Sequence, residues 1–286
     1  MAKRFNMIVK ETKSSFLSLS LPDKRQIGKV HSVFATSLNI MVNNQLINFS
    51  QEGMSLSAHG CILGKKKMGT LLELCRPKDI VKVENDKITF YTKQGVESVD
   101  LSDFTEMDLS LTKINIADQS IAGTSVFQSL KAVSFEEEIG IACDGKAKAV
   151  FDILNNIATS SEEEKNKAVT FLIGRGKGLT PSGDDILSGF IMIRKSFLEK
   201  DNFQEYVKEK LKVQKTTDIS EAYYNALFSG YVSSLFLTFL SAFETNETLN
   251  TNQLIKLIGK YGHTSGYDTL LGMYLGLQSL INEMEE

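Results

Sequence analysis

Near residue 120 the chain changes its pattern, and that change limits the architectures open to it. Before about Ile121, short runs rich in β-forming residues alternate with turn residues: Met7–Val9, Val33–Met41, Leu46–Phe49, Asp79–Val83, Lys87–Thr92 and Val96–Leu101. Asn43-Asn44 and Asn85-Asp86 each separate two such runs, and Asn and Asp tolerate the left-handed backbone of a tight hairpin. Lys93-Gln94-Gly95 reads as a third turn. Close-spaced short strands predict an antiparallel barrel or sandwich. Beyond this point apolar residues recur at helical spacing, as in Val150, Ile153, Leu154 and Ile157. Ser161 with Glu164 spells a capping box, and Gly174 offers the left-handed position that closes a helix. Further helices are expected after Ser182, over Phe203–Val213, from Asp218 or Ser220 to about Phe243, over Asn252–Tyr261 and over Ser265–Met284. The fold class expected is α+β: a β-rich domain over 1–120, then an all-helical domain over 121–286.

The 286 residues are enough for two modest cores. With 32 Lys and Arg against 35 Asp and Glu, the chain lacks the concentrated positive charge of a general nucleic-acid binder. The basic run Lys65–Lys67 reads as a solvated loop. Cys61, Cys75 and Cys143 show no CxxC spacing, which argues against a disulfide scaffold and a zinc knuckle. His31, His59 and His263 are too few for a histidine-rich metal site. The first residues carry positive charge without the apolar stretch of a secretory signal. The most apolar run, Tyr231–Phe243, falls short of the ~20 residues of a spanning helix and reads as a buried one. A cytoplasmic protein with no membrane segment is the expectation.

The helical half contains two similar stretches. Leu172-Ile173-Gly174-Arg175 leads through a loop to Ser182-Gly183-Asp184-Asp185-Ile186-Leu187-Ser188-Gly189. Leu257-Ile258-Gly259-Lys260 leads, through a loop two residues shorter, to Ser265-Gly266-Tyr267-Asp268-Thr269-Leu270-Leu271-Gly272. Each Ser is placed to cap its helix, with Asp185 or Asp268 three residues on, able to reach back to the cap. Gly183 and Gly266 would leave the first amides uncovered, and Gly189 and Gly272 make sense where another helix or a ligand packs close. The first loop, Gly174–Gly183, holds four glycines flanked by Arg175, Lys177, Thr180 and Ser182, among them Gly176 and Gly178. Such a loop at a helix N-terminus suits an anion or a carbonyl, although it is no Walker loop. Asp184 is either a plain dipole stabiliser or a functional group that bonds a substrate amide, Mg²⁺ or K⁺. His263, directly after Gly262, is either structural or an acid–base group. His31 and Ser32 either pack at a strand end or reach the helical site.

Gly174–Asp185 and Gly262–Asp268 resemble the two hallmark segments of the AllH-type subunit of oxamate carbamoyltransferase, and Gly28–Phe34 and Thr217–Gly230 agree with the same family. The resemblance implies a role in allantoin and purine catabolism, where oxalurate and phosphate become oxamate and carbamoyl phosphate. It also implies partner subunits, one of them built like an acyl-CoA synthetase. A carbamoyltransferase needs a phosphate cradle, donors for the developing oxyanion and a proton acceptor. On this reading Arg175, Gly176, Gly178, Thr180, Ser182, Gly183, Ser265, Gly266 and Asp268 bind substrate, and Asp184, Asp185 and His263 are catalytic. The alternative is a non-catalytic ligand-binding or scaffolding subunit. A free-standing hydrolase or lyase of a ureido compound ranks last, for want of a Ser-His-Asp order or a metal constellation.

Overall fold

The computed structural model describes residues 11–22, 24–115, 120–245 and 248–285. The expected strand Met7–Val9 lies outside them. Contacts divide the chain into two compact units, one comprising Met1–Ser110 with Ser229–Thr238, the other Leu111–Phe228 with Phe239–Glu286.

The first unit runs β1 (Thr12–Ser14), α1 (Ser15–Ser20), β2 (Gln26–Val33), β3 (Ser37–Val42), β4 (Gln45–Gln51), β5 (Gly60–Leu63), α2 (Lys65–Leu74), β6 (Ile80–Glu84), β7 (Lys87–Thr92), β8 (Gly95–Asp100) and β9 (Thr105–Met107). The strands form one nine-stranded curled sheet, a half-barrel, in the order β8-β7-β6-β2-β3-β4-β5-β1-β9. Most pairs are antiparallel, but β4–β5 and β1–β9 are parallel. The β3–β4 turn carries Asn43 and Asn44 at φ 48° and 61°, the two left-handed residues its hairpin requires. Asn85 at φ 52° does the same between β6 and β7. One sheet face buries Leu38, Ile40, Ile47, Phe49, Val81 and Phe90 against Met68 and Leu71 of α2. Lys65–Lys67 is therefore the first turn of a helix and not a loop. Its apolar partners lie one turn on, where the lysines can stay exposed.

Asn39, Asn48 and Ser32 face away from that core in register on adjacent strands. Asn48 Nδ2 donates to Asn39 Oδ1 (2.8 Å), Asn39 Nδ2 donates to Ser32 Oγ (3.1 Å), and His31 Nδ1 lies 3.2 Å from the same hydroxyl. These bonds satisfy polar groups that would otherwise be costly to bury.

The second unit contains α3 (Ser125–Lys131), α4 (Phe135–Glu138), α5 (Gly145–Asn155), α6 (Glu162–Leu172), α7 (Ser182–Phe197), α8 (Phe203–Leu211) and α9 (Asp218–Phe228). After α10 (Ser234–Thr245) it continues with α11 (Thr248–Gly259) and α12 (Ser265–Glu285). The capping box at Ser161 forms as expected: Glu164 N–H donates to Ser161 Oγ, and Ser161 N–H to Glu164 Oε2. The single long helix expected from Asp218 to Phe243 is broken. Gly230 takes φ 87°, Tyr231 bridges to Ser110, and a new helix begins at Ser234. No helix among the described residues is long and apolar enough to cross a membrane.

Candidate functional site

The two similar stretches fold alike. At the end of α6, Arg175 N–H donates to Leu172 O (2.9 Å), and Gly183 N–H then donates to Arg175 O (2.8 Å). At the end of α11, Tyr261 N–H donates to Ile258 O (2.8 Å), and Gly266 N–H donates to Tyr261 O (3.0 Å). The same pair of bonds thus closes both loops. They equate Leu172 with Ile258 and Arg175 with Tyr261, one residue away from the register that the L-I-G letters suggest. The reason for glycine at 183 and 266 is close approach. A Cβ there would stand 2.0 Å from Leu172 O and 1.9 Å from Ile258 O.

This closure corrects two expectations. Ser182 and Ser265 are the first helical residues and not caps; Pro181 holds the cap position of α7, with no side-chain cap bond. Asp185 and Asp268 therefore do not reach back to a capping serine. The Gly183 and Gly266 amides foreseen as open donors are spent on the loop carbonyls.

The helices that follow, α7 and α12, cross in contact. A Cβ on Gly189 would lie 2.1 Å from Thr269 O, and one on Gly272 would lie 1.9 Å from Ile186 O. Since Ile186 and Thr269 occupy equivalent places, the crossing is a local pseudo-two-fold. It brings the helix entrances together so that each aspartate meets the other repeat's serine. Asp268 stands beside Ser182 and Thr264, and Asp185 beside Ser265 and Thr180. Thr180 and Ser265 hydroxyls are 2.8 Å apart.

The three aspartates differ. Asp184, 2 % exposed, has its carboxylate fully engaged: Gly174 N–H donates to it (3.0 Å), as do Thr216 Oγ1 and the Tyr224 hydroxyl (3.1 Å). Burial raises its pKa, and these donors oppose the rise. It ties the start of the first loop to α9, a positioning duty that the sequence pattern did not reveal. Asp268 is fully buried and accepts from the Gly140 N–H at 2.9 Å through Oδ1, while Oδ2 has no hydrogen-bond partner. Asp185 is half-buried, and its Oδ2 is likewise buried without a partner. Burial raises both carboxyls, Asp185 strongly, with the neighbouring Asp268 adding to the rise at Asp185. No ion pair reaches any of the three among the described residues.

The first loop is exposed. Gly174, Gly176 and Gly178 take φ 69°, 124° and 96°, and a Cβ at Gly176 would sit 2.6 Å from Ser182 N. Among the described residues no hydrogen bond engages the amides of Gly176, Lys177, Gly178, Leu179 or Thr180. Arg175 is exposed, lies over the Phe171 ring at 3.7 Å and donates from Nε to Phe171 O. His263 is exposed in the second loop, with no side-chain hydrogen bond among the described residues. Gly140 was missed by sequence reading. A Cβ there would be 2.1 Å from Ser182 Oγ, yet nothing in its neighbourhood of sequence signals this. No group of three or more His, Cys, Asp or Glu side chains suited to a metal occurs among the described residues.

Residues 172–277 match the family described as oxamate carbamoyltransferase subunit AllH, and residues 9–106 match the AllH family N-terminal domain. The chain belongs to the AllH family. The AllH match opens on the last residue of α6 and ends within α12, so it contains both loops, the helix crossing and all three aspartates. No solved structure gives a significant match to this AllH chain.

Proposed function

We propose that this AllH chain supplies the anion-binding site of an oxamate carbamoyltransferase, which interconverts oxalurate plus phosphate with oxamate plus carbamoyl phosphate. The observation that carries the reading is the first loop. Among the described residues, five consecutive amides, Gly176 to Thr180, have no internal partner, beside the N-terminus of α7. Free amides at a helix N-terminus attract phosphate and carboxylate. Arg175 and Lys177 add exposed positive charge on the same loop. In this reading the amides from Gly176 to Gly178, with the outer nitrogens of Arg175, hold phosphate or the oxamate carboxylate. Thr180, Ser182 and Ser265 orient the carbamoyl group through their hydroxyls, and His263 approaches from the second loop.

Calorimetric titration of the full chain with phosphate, carbamoyl phosphate and oxamate tests this. Saturable binding, weakened at least about tenfold by Arg175→Ala, is expected. Absence of binding to all three would remove the substrate site from this chain. It would favour the second reading, a supporting subunit, for which the internal use of Asp184 and of the Gly183 and Gly266 amides speaks.

A further inference from the structure

The first loop is anchored by a residue that lies outside both repeats. Thr217 stands just before α9. Its hydroxyl accepts the Ser220 N–H (3.0 Å) and its carbonyl accepts the Glu221 N–H (2.9 Å), the two bonds of a helix cap. The same hydroxyl donates its proton to Leu179 O. One side chain thus ties the entrance of α9 to the loop. The residues before it add to the hold. Gln214 Nε2 donates to Thr170 O (3.2 Å) and Ile173 O (2.8 Å) at the end of α6, and Thr216 Oγ1 donates to Asp184. Lys215 O lies so close to Gly174 that a Cβ there would meet it at 3.1 Å.

A trans peptide is planar, with its N–H and C=O on opposite sides, so a carbonyl that is held aims the amide that follows it. Every described peptide bond is trans. Arg175 O is held by the Gly183 N–H, which turns the Gly176 N–H away from the first turn of α7. Leu179 O is held by Thr217, which turns the Thr180 N–H away from α9. Gly176 and Thr180 are the first and last of the five amides that have no partner among the described residues. Pro181 ends the row, because it has no N–H, and it favours an extended Thr180. Between the two anchors lie Gly176 and Gly178, where the chain is freest to rotate. We propose that Thr217 is the positioning residue of the anion cradle: it fixes the Leu179–Thr180 peptide so that an N–H, and not a C=O, meets a phosphate or a carboxylate. The role rests on the function proposed above, since it presumes that the loop binds an anion; the latch from Thr217 to Leu179 does not. A loop set in advance spends little binding free energy on ordering.

The full chain, labelled with nitrogen-15 and carbon-13, is compared with Thr217→Val, which keeps the shape and loses the hydroxyl, and with Thr217→Ser, which keeps the hydroxyl. Without ligand, the Leu179 carbonyl carbon should shift in Thr217→Val and stay in place in Thr217→Ser. Titrated with inorganic phosphate, the Gly176 and Thr180 amides should both respond in the wild type and in Thr217→Ser. In Thr217→Val phosphate affinity falls at least about tenfold, the loss of one charge-assisted donor, and the Thr180 response disappears while Gly176 still responds. Ser161→Ala removes a cap of similar weight at the other end of α6 and should leave affinity unchanged, which separates positioning from the loss of a helix cap. An unmoved Leu179 carbonyl in Thr217→Val would overturn the latch. Phosphate affinity that stays intact in Thr217→Val, or a Thr180 response that survives there, would overturn the positioning role. If Thr217→Val does not fold, the wild type decides: a Thr180 amide that ignores bound phosphate while Gly176 responds overturns the role as well. A wild type that binds neither phosphate, carbamoyl phosphate nor oxamate would refute the proposed function and this role with it, and the Leu179 carbonyl would still report the latch.

Discussion

The tightest geometric constraint in the helical unit is the crossing of α7 and α12, and alanine at its two glycines measures it. A Cβ at Gly189 or Gly272 would approach backbone oxygen to 2.1 or 1.9 Å, about 1 Å inside the 3.0 Å that real Cβ contacts respect. The obstacle is a carbonyl on a helix, so no rotamer change relieves it and the two helices must separate. Overpacking of this kind costs about 3 kcal/mol at the upper end of its usual range, while alanine returns about 1 kcal/mol of helix propensity. A net loss of about 2 kcal/mol is expected for each variant. Gly69→Ala is the control. It lies inside α2 with open space around its would-be Cβ, so it keeps the propensity gain and stabilises by up to about 1 kcal/mol. Urea denaturation followed by far-ultraviolet circular dichroism measures all three. Gly189→Ala and Gly272→Ala as stable as the wild type, or more so, would refute the close crossing and the meeting of the two repeats with it.

Asp184→Ala leaves the Gly174 amide, Thr216 and Tyr224 without their acceptor, and a loss of about 3 kcal/mol in denaturant stability is expected; a loss under about 1 kcal/mol would show that the carboxylate is not the clamp described. Arg194 bonds Asp201 (2.7 Å), Glu283 (2.5 Å) and Ser279 (3.1 Å) at the far end of α7, so Arg194→Ala strands two carboxylates and should cost about 3 kcal/mol by the same assay. The pH dependence follows from the raised carboxyl of Asp185. Above its ordinary value of 3.8 the native state holds a proton that the unfolded chain has released, so this group's contribution to stability is lost as pH rises toward the folded value. Asp185→Asn removes that loss, and its stability relative to the wild type should grow as pH rises above the ordinary carboxyl value, by at most about 1.4 kcal/mol per unit. A difference that stays flat with pH would mean that the carboxyl is not raised.

Much of the fold was legible where a local rule dominates. The Asn43-Asn44 and Asn85-Asp86 turns, the Ser161 capping box and the stop at Gly174 depend on residues a few positions apart, and each forms as read. The strands that escaped notice, such as β2, β5 and β9, are short or interrupted by glycine and lysine, and they exist through their neighbours in the sheet. The break at Gly230 was hidden because Tyr231–Phe243 is mostly apolar, with only Ser and Thr between, and gives helix and extended chain a similar signature. At the site, the two Ser-Gly-x-Asp stretches stood out, but their local reading as serine caps failed. Pro181 and Thr264 take the entrance positions, and the serines move one step into the helix. Their partners lie about 85 residues away in the other repeat, a relation that no window of sequence contains.

That exchange of partners explains why one motif yields aspartates with different duties. Asp184 has no counterpart in the second repeat, where Tyr267 stands, and it is free to serve as a clamp for the longer first loop. Asp185 and Asp268 are true equivalents, yet they are not equally buried. The Gly140 amide donates to Asp268, whereas the Asp185 carboxyl meets the Ser265 and Thr180 hydroxyls.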